Sequence, residues 1–153
     1  MSTAVDRLNL AVAAHKAAEA LLAAHPDVVF TSGRRGVVDQ ARAMSQNVVH
    51  NRRWIAETYT ATAESAQLQT WVDRHPEAGT AQEIAAGLQS IMEAWSDDQR
   101  GHVSKHFSGQ AFDVQPVDGP HGEAIKATIR QLPGLTKFLE KEGGLVRWHA
   151  QFG

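Results

Sequence analysis

The order of apolar segments along the chain most constrains its fold. An Ala- and Leu-rich stretch over residues 4–24 predicts an amphipathic helix that His25-Pro26 ends. The β-branched and aromatic run at 28–30 predicts a short buried strand. Helix-forming residues predominate over about 37–62 and predict one long helix there.

The chain changes character after Asp97, beyond the end of a predicted helix. Thr80 followed by Glu83 is a capping-box pattern and predicts a helix that runs to about Trp95. The remaining predicted elements are strands over 111–114 and 145–152 and helices over 121–132 and 135–140. Helices and a strand, then more helices and two late strands, predict an α+β fold. In it, a small antiparallel sheet packs against several helices.

Length and cysteine content limit the chemistry. A chain of 153 residues is expected to form one domain over 1–153, with a core large enough to need no disulfide. There is no cysteine, which excludes thiol catalysis and thiolate metal sites. A zinc ion in this chain would have to be held by imidazole and carboxylate groups.

The distribution of charge argues against a nucleic-acid partner and against a membrane-spanning segment. The net charge is −2 and no basic run occurs, so a nucleic-acid partner is not predicted. The Ala-rich N-terminal stretch contains Asp6, Arg7, Lys16 and Glu19, so we interpret it neither as a signal peptide nor as a membrane span. The sequence leaves the oligomeric state open.

Three short segments carry the residues that favour a metal site. They are Ser-Lys-His-Phe-Ser-Gly-Gln-Ala-Phe-Asp at 104–113, Trp-His at 148–149 and Ser-Gly-Arg-Arg at 32–35. A catalytic zinc needs three protein ligands and one open position. His106 in a loop, Asp113 on the following strand and His149 on a neighbouring strand can supply the three ligands, and Gly109 allows a tight turn between the first two.

These segments resemble the M15 family of zinc peptidases, which includes D-Ala-D-Ala carboxypeptidases and phage endolysins. The family pattern of Ser-x-His, a Gly, then Ala-x-Asp is matched by Ser104, His106, Gly109, Ala111 and Asp113. The family's third ligand follows a Trp in a late strand, as His149 does here. The resemblance implies a Zn²⁺ ion on the two histidines and the aspartate.

The early turn extends the resemblance. The family has Ser-Gly-Tyr-Arg, whose Arg steadies the substrate oxyanion, and the resemblance assigns this role to Arg35, with Arg34 replacing the Tyr. Gln40 falls where members often carry Gln. The likeness covers about 30–152, although the stretch 51–95 looks longer and more helical than in minimal members.

One position departs from the family. Its members place an acidic general base three residues before the third ligand, where this chain has Val146. Glu140 and Glu142 are the nearest upstream carboxylates, and Glu142 is preferred because it directly precedes the Gly-Gly turn at 143–144.

The resemblance implies a peptidase that hydrolyses peptidoglycan stem or cross-link peptides, as a carboxypeptidase or endopeptidase. Such an enzyme would be made in the cytoplasm, then released to the wall by a holin or carried in a phage-like particle. The alternative is a zinc-containing binding or structural module without turnover, which Val146 favours. A third reading is a helical protein without metal.

Overall fold

A computed structural model describes residues 3–142 and 145–152, with Glu142 described in its backbone alone. The helices are α1 (Thr3–Asp6), α2 (Val12–Ala24), α3 (Val37–Val48), α4 (Trp54–Thr58), α5 (Ala63–Arg74), α6 (Ala81–Glu93), α7 (Asp97–Gly101) and α8 (Gly119–Arg130). A 3-10 turn covers Lys105–Ser108. The strands are β1 (Phe30–Ser32), β2 (Ala111–Val114), β3 (Leu135–Glu142) and β4 (Leu145–Phe152). The chain thus has the predicted α+β fold.

Two compact units divide the chain. The first, which we call the sheet unit, comprises Met1–Arg34 and Ser108–Gly153. The second, the helical unit, is Arg35–Phe107. Each unit has its own apolar core.

The sheet unit is built on four antiparallel strands in the order β1-β2-β4-β3. Side chains alternate between the two faces of a strand, so every second residue of β2 and β4 shares a face. One face is apolar and packs on α2 and α8; its core includes Leu21, Phe112, Ile125, Ile129, Trp148 and Phe152. The opposite face therefore carries Asp113 and His149, which pair with each other across β2 and β4.

The helical unit is held together by apolar residues of α3 to α6, among them Met44, Ile55, Leu68, Ile84 and Leu88. Helices α5 and α6 begin at side-chain caps. The Thr62 hydroxyl accepts from the backbone N–H of Ser65, and the Thr80 hydroxyl accepts from that of Glu83. The cap predicted at Thr80 is confirmed, and α6 follows it over Ala81–Glu93.

Two predicted elements are wrong. Residues 135–140 form part of strand β3 instead of a helix, because β4 pairs with them along their length. The long helix predicted over 37–62 ends at Val48, and α4 begins separately at Trp54. In the break between them, the Arg52 guanidinium donates to three carbonyl oxygens near the end of α5.

The N-terminal helix is also interrupted. Residues 4–24 form α1 and α2 with a break in which Asn9 has a φ of 51°. No helix within residues 3–142 and 145–152 has the length and apolar character needed to span a membrane.

Candidate metal centre

Three residues of the predicted metal site lie together. His106, Asp113 and His149 each offer a ligand atom, and these atoms all lie within 4.8 Å of one another. The three residues are buried, with exposed fractions of 2%, 7% and 6%. His106 stands in the 3-10 turn that leads into β2, while Asp113 is in β2 and His149 in β4.

Strand register brings the aspartate and the second histidine together. Directly paired residues on antiparallel strands point to the same face, and Asp113 is paired with His149. Nδ1 of His149 lies 2.8 Å from Oδ1 of Asp113. The pairing of β1 with β2 places Ser32 opposite Asp113. The Ser32 hydroxyl donates to Oδ2 of Asp113 at 2.6 Å.

Backbone contacts fix the turn that carries His106. The His106 N–H donates to the Ser104 hydroxyl at 3.2 Å, and the His106 carbonyl accepts from the N–H of Arg35 at 3.0 Å. Gly109 follows with a φ of +75°, a conformation that L side chains rarely adopt. The residues between His106 and Asp113 thus form a turn, held by hydrogen bonds to the N–H and the carbonyl of His106, and then a strand that starts at Ala111.

The donor set fits a divalent zinc ion. Zinc in proteins prefers imidazole nitrogen and carboxylate oxygen where thiolate is absent. Burying imidazole and carboxylate groups is costly unless they are paired or coordinate a metal. Two buried imidazoles and one buried carboxylate with converging ligand atoms satisfy that requirement.

Arg35 is tied to the turn that carries His106, because its backbone N–H donates to the His106 carbonyl. Its side chain is half-buried, and Nη1 donates to Oε1 of Gln40 at 3.4 Å. Gln40 is fully buried and donates in turn to the Tyr59 hydroxyl at 3.2 Å. A Gln at this position therefore contacts the guanidinium predicted to face the oxyanion.

The predicted general base lies largely outside the described structure. Glu142 is the last residue of β3 and pairs with Leu145, but its side chain is not among the described residues. Val146 is 59% exposed at the start of β4.

Glu140, the other upstream carboxylate, bonds to Lys126 and Arg130 of α8. The hydrogen bond from Lys126 holds the pKa of Glu140 below its usual range. A carboxylate kept charged by these two cations is poorly suited to take up a proton.

Sequence reasoning missed two contacts of the centre. Oε1 of Gln151 lies 2.8 Å from Nε2 of His149, and Ser32 bonds to Asp113 as described above. A signal for the first was present, since His149 and Gln151 are two residues apart on a strand and so share a face. A second possible metal group, formed by Asp6, His15 and Glu19, lies on exposed or half-buried positions of α1 and α2.

Protein-family models, curated proteins and solved structures were each compared with the chain, and none matches it.

Proposed function

We propose that the chain is a zinc-dependent peptidase of the M15 type that hydrolyses stem or cross-link peptides of peptidoglycan. The observation that carries the proposal is the buried group of His106, Asp113 and His149, whose ligand atoms lie within 4.8 Å of one another. The motif spacing that resembles the M15 pattern brings His106 and Asp113 together, and the pairing of β2 with β4 adds His149.

The two imidazoles and the Asp113 carboxylate would hold the ion. The zinc ion would bring two positive charges and the Asp113 carboxylate one negative charge. The net positive charge that remains suits binding of a polar carbonyl group. When bound, zinc supplies Lewis acidity and lowers the pKa of water toward neutrality, the chemistry that amide hydrolysis requires. Ser32 holds Oδ2 of Asp113, which orients the carboxylate so that Oδ1 is directed at His149.

Two further residues complete the proposed reaction. The Arg35 guanidinium would stabilise negative charge as it develops on the carbonyl oxygen of the scissile amide. Glu142 would take the proton from the attacking water and deliver it to the leaving amine, so that hydrolysis adds one water across the C–N bond. The contact between Arg35 and the buried Gln40 restricts the guanidinium before substrate binds.

The proposed substrate is a peptide of the bacterial wall, reached after release by a holin or from a phage-like particle. D-Ala-D-Ala, stem-peptide and cross-bridge cleavage would use the same metal ligands and differ in the shape of the substrate pocket. Mass spectrometry of muropeptides digested by the purified protein identifies which bond is broken.

Zinc content and hydrolysis, measured together, test the proposal. We expect one zinc per chain in the wild type and release of muropeptide fragments that a chelator abolishes. Glu142→Ala should retain zinc and lose hydrolysis, whereas Glu77→Ala, at an exposed position of the helical unit, should retain both. Full hydrolysis by Glu142→Ala would refute the assignment of the base.

A second candidate is a zinc-holding binding or structural module without turnover. It is favoured by Val146, which occupies the position of the family's base and exposes an apolar side chain. Bound zinc without hydrolysis of several wall chemotypes would support this module. Protein that carries no zinc, with a melting temperature that a chelator leaves unchanged, would refute both candidates.

A further inference from the structure

His149 has an oxygen atom in contact with each of its ring nitrogens. Nδ1 lies 2.8 Å from Oδ1 of Asp113, and Nε2 lies 2.8 Å from Oε1 of Gln151. His149 is 6% exposed, so water has little access to its ring. All three residues belong to the sheet unit.

The strand backbone explains why Gln151 reaches the ring. His149 and Gln151 are two residues apart in β4, so their side chains project from the same face. β2 and β3 flank β4 at these positions, with Ala111 and Lys137 paired to Gln151. The amide of Gln151 turns back along the strand toward His149.

A neutral imidazole carries one N–H, and so it can donate to only one of two oxygen acceptors. Both contacts are satisfied when one nitrogen gives its lone pair to a cation that the neighbouring carboxylate also binds and the other donates its N–H to Gln151. Asp113 is the carboxylate, so in this arrangement Nδ1 would be the ligand atom and Nε2 would carry the proton. Histidine ligands of metals commonly donate their second N–H to such an oxygen, which fixes the tautomer and the ring orientation.

We infer that Gln151 is a positioning residue: its amide oxygen accepts the Nε2–H of His149 and thereby directs Nδ1 to the metal that Asp113 shares. The inference rests on the metal centre of the proposed function but not on catalysis. It assigns a role to a residue outside the motif of the three ligands. Its prediction is that the acceptor oxygen, and not the shape of the side chain, sets the affinity for zinc.

Two variants separate the oxygen from the shape. Gln151→Met keeps the length and flexibility of the side chain but removes the acceptor oxygen. Gln151→Glu keeps an acceptor oxygen and removes the amide donor. The matched control is Gln131→Met, at an exposed position after α8.

Competition with a chromogenic chelator measures the zinc dissociation constant of each protein. We expect Gln151→Met to bind zinc about 10- to 100-fold more weakly than the wild type. Gln151→Glu should bind within about threefold of the wild type or more tightly, because a carboxylate acceptor raises the basicity of the ligand. Gln131→Met should match the wild type.

Long-range ¹H–¹⁵N correlation of the zinc-loaded wild type provides a readout that needs no variant. His149 should show a protonated Nε2 and an Nδ1 without a proton. Equal zinc affinity of Gln151→Met and the wild type would overturn the inference and leave the metal centre intact. So would a Gln151→Glu variant as weak as Gln151→Met, or a proton found on Nδ1. A wild type that binds no zinc would overturn the inference and the proposed function together.

Discussion

Replacing Gly109 by alanine should destabilise the sheet unit through two separable effects. Gly109 lies between two of the proposed ligands, and its φ of +75° is unfavourable for alanine. That conformation costs an L residue about 1–2 kcal/mol. The added Cβ would also lie 2.9 Å from the backbone nitrogen of Ala11 and 2.8 Å from Nη2 of Arg34.

The contact with Ala11 is the harder one to relieve. The Arg34 guanidinium is the end of a long exposed side chain and can move aside. Ala11 N, in contrast, is backbone and donates to the Gly109 carbonyl at 2.9 Å, so relief of the clash strains that hydrogen bond. Overpacking of this kind costs about 1–3 kcal/mol. The sum is about 2–5 kcal/mol, which lowers the melting temperature by about 4–20 °C in a chain of this size.

Equilibrium unfolding in urea measures the loss of stability in Gly109→Ala, and two other glycines serve as controls. Gly119 has a φ of +80° with no atom near the position of a Cβ, so Gly119→Ala isolates the conformational cost. Gly101, at the end of α7, has neither problem, and Gly101→Ala should leave stability unchanged or slightly raised. Equal losses for Gly109→Ala and Gly119→Ala would refute the clash, and a fully stable Gly109→Ala would refute the whole reasoning.

Three further predictions concern the centre, a helix junction and acid stability. Ser32→Ala removes the hydroxyl that donates to Asp113, so the zinc dissociation constant in chelator competition should rise about 10- to 100-fold. Arg52→Ala removes three hydrogen bonds to backbone carbonyls, so the free energy of unfolding in urea should fall by about 2–4 kcal/mol. The hydrogen bond from His121 holds the pKa of Asp27 below its usual range. A lowered carboxyl pKa adds stability above the unfolded-state pKa, and this stability is lost as pH falls through the folded-state pKa. NMR titration of His121→Ala should show the pKa of Asp27 moving back up, and the variant's melting temperature should fall less on acidification; an unchanged titration would contradict the pairing.

How far the sequence predicts the fold depends on whether an element is specified locally. Strands β2 and β4 occupy the predicted residues, because apolar and aromatic residues recur at every second position of both segments. Strand β3 contains Lys137, Glu140 and Lys141 and has no such signal. Its conformation comes from pairing with β4, a tertiary interaction that local propensity cannot express.

The end of α3 shows the same limit. Residues 49–53 have no helix-breaking proline or glycine, so helix propensity predicts that the helix continues. Arg52 instead donates to the carbonyl oxygens of Val72, His75 and Ala78, which lie 20, 23 and 26 positions later in the chain. Three such bonds outweigh the small propensity differences at this break.

The sequence likewise predicts some residues of the candidate centre and not others. The motif identified His106, Asp113 and His149, which are buried and close together. The motif did not identify Gln151, whose contact with His149 depends on a side-chain conformation that the spacing permits without requiring. The role of Glu142 stays a prediction.

The location of bound zinc tests the central claim most directly. Anomalous diffraction at the zinc edge, from crystals of the purified chain, should show one peak per chain. Ligand atoms of His106, Asp113 and His149 should lie about 2.0–2.2 Å from it. A stoichiometric zinc peak at other residues, or a chain that takes up no zinc when all three residues are intact, would contradict the account.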